Sequence, residues 1–201
     1  MRAVIIGNGS ICDYGYIKSK LRGDDFFICA DGGLKHIAEL GIKPDIAIGD
    51  FDSSEKCDSV KTYVYPEDKD FTDGELAVDY ALQSGYDEIL LIAMTGTRLD
   101  HTMTNIFQLA KSKGISLIDD KNEIHIVRDT LEIESKKGKT LSIIPVFSDL
   151  EGITSTGLLY PLKDETLCFG KGRGNSNVIT DDKCIISVKS GMGVVIITDG
   201  E

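Results

Sequence analysis

The sequence lacks any pair of cysteines at the C-x-x-C spacing. Its five cysteines are an odd number and are scattered along the chain, so they indicate neither a disulfide framework nor a cysteine-rich zinc site. Long apolar runs are missing too: nothing approaches the ~20 residues of a membrane span, and the run at residues 3–6 is too short for a signal peptide. We therefore expect a soluble, cytoplasmic protein that does not associate with membranes.

Basic residues are scarce, with 22 Lys and Arg against 33 Asp and Glu and a formal net charge of −11. This balance repels polyanions and disfavours nucleic acid as a partner. Most of the acid lies in residues 1–120, which carry 12 basic and 21 acidic residues, whereas residues 121–201 carry 10 and 12. A nucleotide bound to the first part would need metal cations or a few well-placed basic groups.

Complete glycine-rich phosphate motifs are also absent. Gly7-Asn8-Gly9 lacks the third glycine of a dinucleotide fingerprint, and no G-x-x-x-x-G-K-[ST] loop occurs. Two interpretations of the Gly7–Gly9 segment stay open: Asn8 and Gly9 line a nucleotide, or they form a plain tight turn.

The first 120 residues alternate short apolar runs with helical patterns. Strands are predicted at residues 3–6, 26–30 and 88–93, and helices at 34–40, 75–83 and 101–113. Such alternation favours an α/β fold with a parallel sheet, which residues 115–118 could complete.

From residue 121 the pattern changes to short β-rich segments separated by Gly, Lys and Asp turns, with no helix. They are residues 123–128, 131–134, 141–147, 166–169, 184–188 and 194–198. This spacing suggests a small antiparallel sandwich or barrel. We therefore expect two domains, 1–120 and 121–201.

Ligands of open α/β sheets bind beyond the carboxyl ends of the strands, so the loops there are the first candidates for a binding site. Asp50 and Asp52 follow a predicted strand end at residues 46–48, and their spacing points both carboxylates to one side. Two adjacent carboxylates repel each other unless a cation neutralises them, and oxygen ligands suit Mg²⁺. The alternative is that both residues cap a turn.

A second acidic cluster surrounds the start of the predicted helix at 75–83. Thr72 and Glu75 have the T-x-x-E spacing of a capping box. Lys69 could contact a phosphate, and Asp73 could be a third metal ligand beside the positive end of the helix dipole. An acidic first turn that merely complements the dipole explains Asp73 equally well.

Two further segments carry groups suited to ligands. After the predicted strand at 88–93, Arg98 could contact a phosphate and Asp100 could orient Arg98 or bind substrate, whereas His101 is expected to be structural. In the β-rich part, Ser176 and Asn177 follow a glycine-rich stretch and could recognise a polar heterocycle. A mobile hairpin loop is the alternative there.

Together these segments resemble the thiamine pyrophosphokinase family, in order and over nearly the whole chain. The matching segments are residues 30–33, 44–53, 69–75, 96–101 with Asn105, and 175–177. The resemblance implies a Rossmann-like α/β domain that binds ATP, followed by a β-sandwich domain that binds thiamine and mediates dimerisation. It also implies transfer of pyrophosphate from ATP to the thiamine hydroxyl, giving thiamine diphosphate and AMP.

The resemblance further implies roles for individual residues. Asp50, Asp52 and Asp73 correspond to Mg²⁺ and phosphate-site acids, with Asp100 beside them as a catalytic candidate. The ATP or substrate contacts it implies are Asp31, Lys69, Thr72 and Arg98. Ser176 and Asn177 correspond to a thiamine-recognition pair that reaches the active site of the partner subunit in a homodimer.

The sequence departs from the family in one respect. It contains no tryptophan, so any stacking of tryptophan on thiamine is missing. Either Asp73 or Asp100 could accept the proton of the thiamine hydroxyl. Two other functions also stay open: a pyrophosphokinase acting on a hydroxymethylpterin-type alcohol, and a nucleotide-binding module without catalysis.

Overall fold

The computed structural model describes residues 1–49, 60–64 and 70–198, with the backbone alone for Asp31. The fold is mixed α/β, and the chain forms two compact units, Met1–Asp120 and Lys121–Glu201. Among the described helices, none is long and apolar enough to cross a membrane. Asp50, Asp52 and Lys69, which the sequence nominates as site residues, lie outside the described residues.

The first unit alternates strands and helices, as the sequence predicts. Its elements are β1 (Arg2–Ile6), α1 (Tyr14–Ser19), β2 (Phe26–Ala30), α2 (Leu34–Leu40), β3 (Ile46–Gly49), β4 (Lys61–Val64), α3 (Asp73–Gln83), β5 (Glu88–Ile92), α4 (Leu99–Gln108) and β6 (Ile115–Ile118). Short 3-10 helices, Asp31–Gly33 and Leu109–Lys111, precede α2 and follow α4. The helix predicted at 101–113 is therefore α-helical only as far as Gln108, and the chain continues as a 3-10 helix to Lys111.

The strands of the first unit run parallel in the order β4-β3-β2-β1-β5-β6. Every residue of β1 is buried, because a parallel sheet covered on both faces favours continuous apolar strands over alternating ones. The chain moves outward from β1 to β4 and then returns to β5, beside β1. The strand order therefore reverses between β1 and β5, and the carboxyl ends of strands at such a reversal are where open α/β sheets bind ligands.

The second unit is antiparallel, and residues 121–198 contain no helix. Its strands are β7 (Asn122–Val127), β8 (Thr130–Glu134), β9 (Thr140–Thr156), β10 (Glu165–Leu167), β11 (Asn177–Val178), β12 (Lys183–Ser187) and β13 (Ser190–Thr198). They are ordered β7-β13-β9-β12-β8, and β10 and β11 also pair with β9.

Strand β9 is much longer than the predicted segment at 141–147. Positive φ angles at Phe147 (67°) and Gly152 (62°) bend it, so different parts of one strand meet different partners. Residues 140–146 pair with β13, and residues 154–156 pair with β12. The core beneath these strands is aliphatic and includes Leu141, Ile143, Leu150, Ile153, Ile186 and Val195.

Candidate active site

A pocket of about 630 Å³ opens at the carboxyl ends of β1 and β5. Its walls are residues 7–10 after β1, residues 93–98 after β5, residues 71–74 at the start of α3, and the first turns of α4. The pocket lies where the strand order reverses, which is where open α/β sheets bind their ligands. Its volume suits a small organic ligand such as a mononucleotide.

Main-chain hydrogen bonds join the wall after β1 to the loop after β5. The N–H of Gly9 donates to the carbonyl oxygen of Ala93 at 2.6 Å, and the N–H of Ser10 donates to the carbonyl oxygen of Thr95 at 2.8 Å. A Cβ atom on Gly9 would lie 2.2 Å from the Thr95 carbonyl oxygen, so only glycine fits this close approach. Asn8 and Gly9 line the pocket from within this tight loop.

The start of α3 forms the capping box that the sequence predicts. Thr72 Oγ1 accepts from the N–H of Glu75 at 3.2 Å, and the Glu75 carboxylate accepts from the N–H of Thr72 at 2.9 Å. Burial raises the pKa of Glu75, but hydrogen bonds from Thr72 and Gln108 outweigh it and leave the pKa below its ordinary value. Thr72 and the half-buried Asp73 line the pocket.

Arg98 and Asp100 lie together at the start of α4. The Arg98 guanidinium donates two hydrogen bonds to the Asp100 carboxylate, and both side chains are largely exposed. Hydrogen bonds from Arg98 and from the backbone of His101 lower the pKa of Asp100 to about 2. The sequence offers Asp100 as a partner for Arg98 or for substrate, and the structure shows the contact with Arg98.

Polar side chains of α4 organise the loop after β5. Thr102 Oγ1 accepts from the N–H of Gly96 and donates to the Arg98 carbonyl, while Asn105 Nδ2 donates to the Met94 carbonyl at 2.7 Å. His101, in the first turn of α4, is exposed and lines the pocket.

Lys35 is a pocket residue that the sequence reasoning missed. It lies in the first turn of α2, lines the pocket, and donates from Nζ to the carbonyl oxygen of Asn8 at 3.2 Å. A basic residue four positions after Asp31, in the loop-to-helix segment after β2, was the available signal. Asp31 itself begins the 3-10 helix at the end of β2.

Ser176 and Asn177 lie in the second unit, at the start of β11. The Asn177 carboxamide accepts from the N–H of Tyr160 at 3.0 Å and donates to the Tyr160 carbonyl at 2.8 Å. Ser176 has a positive φ of 58°, and its N–H donates to Ser142 Oγ. Asn177 therefore orders the backbone at Tyr160, whose side chain is 66% exposed.

Within the described residues, no group of three or more His, Cys, Asp and Glu side chains is placed to hold a metal ion. Asp73 brings one carboxylate to the pocket. Asp50, the first of the two acids nominated after β3, directly follows Gly49, the last residue of that strand.

Comparisons with known proteins agree over both units. The family model described as "Thiamin pyrophosphokinase, catalytic domain" matches residues 17–118, and "Thiamin pyrophosphokinase, vitamin B1 binding domain" matches residues 121–194. Thiamine pyrophosphokinase of Bacillus subtilis is 32% identical over 183 residues, which cover 85% of this chain and 86% of that protein. A relative from Caenorhabditis elegans, thiamin pyrophosphokinase 1, is 26% identical over 165 residues, which cover 74% of this chain and 68% of that protein.

Solved structures give the same result. The crystal structure of the Bacillus subtilis thiamine pyrophosphokinase matches with a TM-score of 0.88 at 27% identity and full coverage of both chains. The crystal structure of the Geobacillus thermodenitrificans thiamin pyrophosphokinase also matches with a TM-score of 0.88, at 25% identity. The match covers 100% of this chain and 99% of the Geobacillus chain. The chain belongs to the thiamine pyrophosphokinase family.

Proposed function

We propose that this chain transfers pyrophosphate from ATP to the hydroxyl group of thiamine, forming thiamine diphosphate and AMP. The observation that carries the proposal is the pocket at the strand-order reversal, most of whose lining residues fall within residues 17–118, the region that matches the family's catalytic domain. The first unit would then be a Rossmann-like ATP-binding domain. The second, matched by the vitamin B1 binding model, would be a β-sandwich that binds thiamine.

ATP would lie in the pocket with its phosphates near the start of α3, where the helix dipole favours an anion. Lys35 and Arg98 supply positive charge from the pocket walls, and the family resemblance adds Asp31, Lys69 and Thr72 as ATP contacts. These basic groups are needed because the first unit is strongly acidic. Thr72 contributes through the capping box, which orders the first turn of α3.

Mg²⁺ would bind between these phosphates and the carboxylates of Asp50, Asp52 and Asp73. Carboxylate oxygens are the donors that Mg²⁺ prefers, and it commonly completes its coordination with substrate phosphates and water. When bound, the ion would neutralise charge that develops on the phosphates during transfer. Asp73, at the pocket wall, is the member of this set for which the structure gives a position.

The thiamine hydroxyl would attack the β-phosphorus of ATP, and AMP would leave. The protein's main tasks are to align the two oxygens and to offset charge, since a loose transition state demands little of a general base. Asp100 is a weak proton acceptor, because hydrogen bonds from Arg98 and the His101 backbone lower its pKa to about 2.

We further propose a homodimer in which Ser176 and Asn177 help form the thiamine site of the partner subunit. The B1-binding match over 121–194 and the ordered backbone between Asn177 and Tyr160 support this role. A cytoplasmic location is supported by free thiols at Cys12, Cys29, Cys168 and Cys184.

Product analysis tests the reaction. Purified protein with ATP and Mg²⁺ should release AMP with thiamine and little with a hydroxymethylpterin. ADP as product would reject pyrophosphate transfer, and ATP binding without turnover would indicate a nucleotide-binding module.

Asp73→Asn should lose most of the activity. Asp79→Asn on the same helix is the matched control, because Asp79 pairs with Lys111 on the surface and should be dispensable.

A further inference from the structure

His36 lies in the first turn of α2, behind the pocket wall formed by residues 7–10. Only 3% of its surface is exposed. Its Nε2 lies 2.9 Å from the carbonyl oxygen of Gly9, and its Nδ1 lies 2.8 Å from the hydroxyl oxygen of Tyr14. Since a carbonyl oxygen only accepts, Nε2 must carry a proton, and in the neutral ring Nδ1 accepts from Tyr14.

The neutral ring is the form that this environment favours. Burial lowers the pKa of His36, and the positive charge of Lys35 acts in the same direction, while the hydrogen bond to Gly9 opposes them. The Gly9 carbonyl, which only accepts, fixes the proton on Nε2, and the Tyr14 hydroxyl then donates to the unprotonated Nδ1. The neighbouring Ile37 and Leu40 face the core with apolar side chains, so a buried histidine here needs a reason beyond filling space.

That reason is the peptide group of Gly9. Its N–H donates to the carbonyl oxygen of Ala93 in the loop after β5, and its carbonyl oxygen accepts from His36 on α2. The preceding residue, Asn8, lines the pocket and accepts at its own carbonyl from Lys35. Two consecutive residues of α2 thus bind two consecutive carbonyls of the pocket wall, the buried one through His36.

We infer that His36 is a positioning residue for nucleotide binding, which holds the wall at Asn8 and Gly9 in the orientation that ATP requires, with Tyr14 supporting the imidazole by a hydrogen bond to Nδ1. The inference rests on the proposed function for the identity of the ligand. It assigns no chemical step to His36, because the imidazole is buried and is not among the residues that line the pocket.

Three variants and a control test this role by steady-state kinetics. His36→Leu, which removes both hydrogen bonds at similar volume, should raise the KM for ATP about tenfold and leave kcat and the KM for thiamine within about twofold. His36→Gln should restore most of the ATP affinity, because its amide nitrogen can donate to Gly9 in place of Nε2. Tyr14→Phe should give an intermediate KM for ATP.

Leu40→Ala is the control for a general loss of stability, because Leu40 is fully buried in α2 and belongs to the core. It should lower the melting temperature at least as much as His36→Leu while keeping the wild-type KM for ATP. Equal rises in both KM values for His36→Leu, or the same KM change in Leu40→Ala, would overturn the positioning role.

Direct binding of ATP with Mg²⁺, measured by calorimetry, separates this inference from the proposed reaction. If the wild type binds ATP but makes no thiamine diphosphate, the proposed function fails and the Kd values still test His36. The inference predicts weaker binding for His36→Leu and near-normal binding for His36→Gln. Unchanged binding in His36→Leu, or no ATP binding by the wild type, would overturn it.

Discussion

Arg98 Nη2 lies 2.6 Å from Asp100 Oδ2, and Arg98 Nε lies 3.2 Å from Asp100 Oδ1, so the two side chains form a two-point ion pair at the pocket. The pair joins residues two apart at the beginning of α4, where Arg98 precedes the first helical turn. With its pKa lowered to about 2, Asp100 is a carboxylate at every pH at which the enzyme would work. It orients Arg98 and is a weak proton acceptor.

Asp100→Asn should therefore leave the acid limb of the pH–rate profile in place. A carboxyl group whose pKa is about 2 does not titrate between pH 5 and 9, so its own protonation cannot produce a limb in that range. The KM for ATP should rise about threefold, because Arg98 loses the partner that orients it. The measurement is kcat/KM against pH for both proteins, and disappearance of the acid limb in Asp100→Asn would identify Asp100 as the base after all.

Asp50→Asn should reduce turnover about 100-fold at limiting Mg²⁺ while the protein stays folded, because an amide is a poorer ligand for a hard cation than a carboxylate. Higher Mg²⁺ should recover part of the lost rate. The rate is measured as AMP release across a Mg²⁺ titration, with Asp79→Asn as the control for a lost surface charge. Near-normal turnover of folded Asp50→Asn at limiting Mg²⁺ would remove Asp50 from the metal site.

Mixing two inactive proteins tests whether active sites are shared between subunits. If Asp50 acts in one subunit and Asn177 in the other, random exchange of equal amounts of Asp50→Asn and Asn177→Ala should restore about a quarter of the wild-type sites. Each variant incubated alone is the control, and melting curves check that Asn177→Ala stays folded without its bonds to Tyr160. If mass labelling confirms that subunits have exchanged and no activity is recovered, the shared site is contradicted.

Local patterns predicted much of the fold. The T-x-x-E spacing at Thr72 and Glu75 predicted a capping box that the structure confirms, because both partners lie within one helical turn. Apolar runs likewise predicted β1, β2 and β5 to within one residue. Helix α1 and strand β4 were missed because they are short and lack clear periodicity, and β9 exceeded its prediction because bends at Phe147 and Gly152 let one strand change partners.

Site residues were predictable only where their role is local. His36 was not singled out, since its partner Gly9 lies 27 residues away and only the packing of α2 against the loop after β1 brings them together. Asn177 stays a predicted ligand contact, and the hydrogen bonds of its carboxamide to Tyr160, 17 residues earlier, had no signal in its motif. No sequence spacing signals such bonds between distant loops.

The second unit contains a charged cluster whose contribution to stability should depend on pH. Glu123 accepts from His125 Nε2 at 2.9 Å and from Lys136. Burial raises the pKa of Glu123, but the hydrogen bonds from these two groups outweigh it and lower the pKa from 4.5 to about 2. A carboxyl group with a lowered folded-state pKa stabilises the protein above its unfolded-state pKa, and this stabilisation is lost as the pH falls from about 4.5 towards 2.

Glu123→Gln should therefore lower the free energy of unfolding by about 2 kcal/mol at pH 7, and the difference from wild type should shrink between pH 4.5 and 3. Urea unfolding of both proteins at pH 7, 5 and 3 measures it. Glu132→Gln is the matched control, because Glu132 pairs with Lys183 on the exposed surface and should change stability by less than about 0.5 kcal/mol. A loss that is the same at pH 7 and pH 3 would mean that Glu123 stabilises the unit through packing, since only the charged form has interactions that protonation can remove.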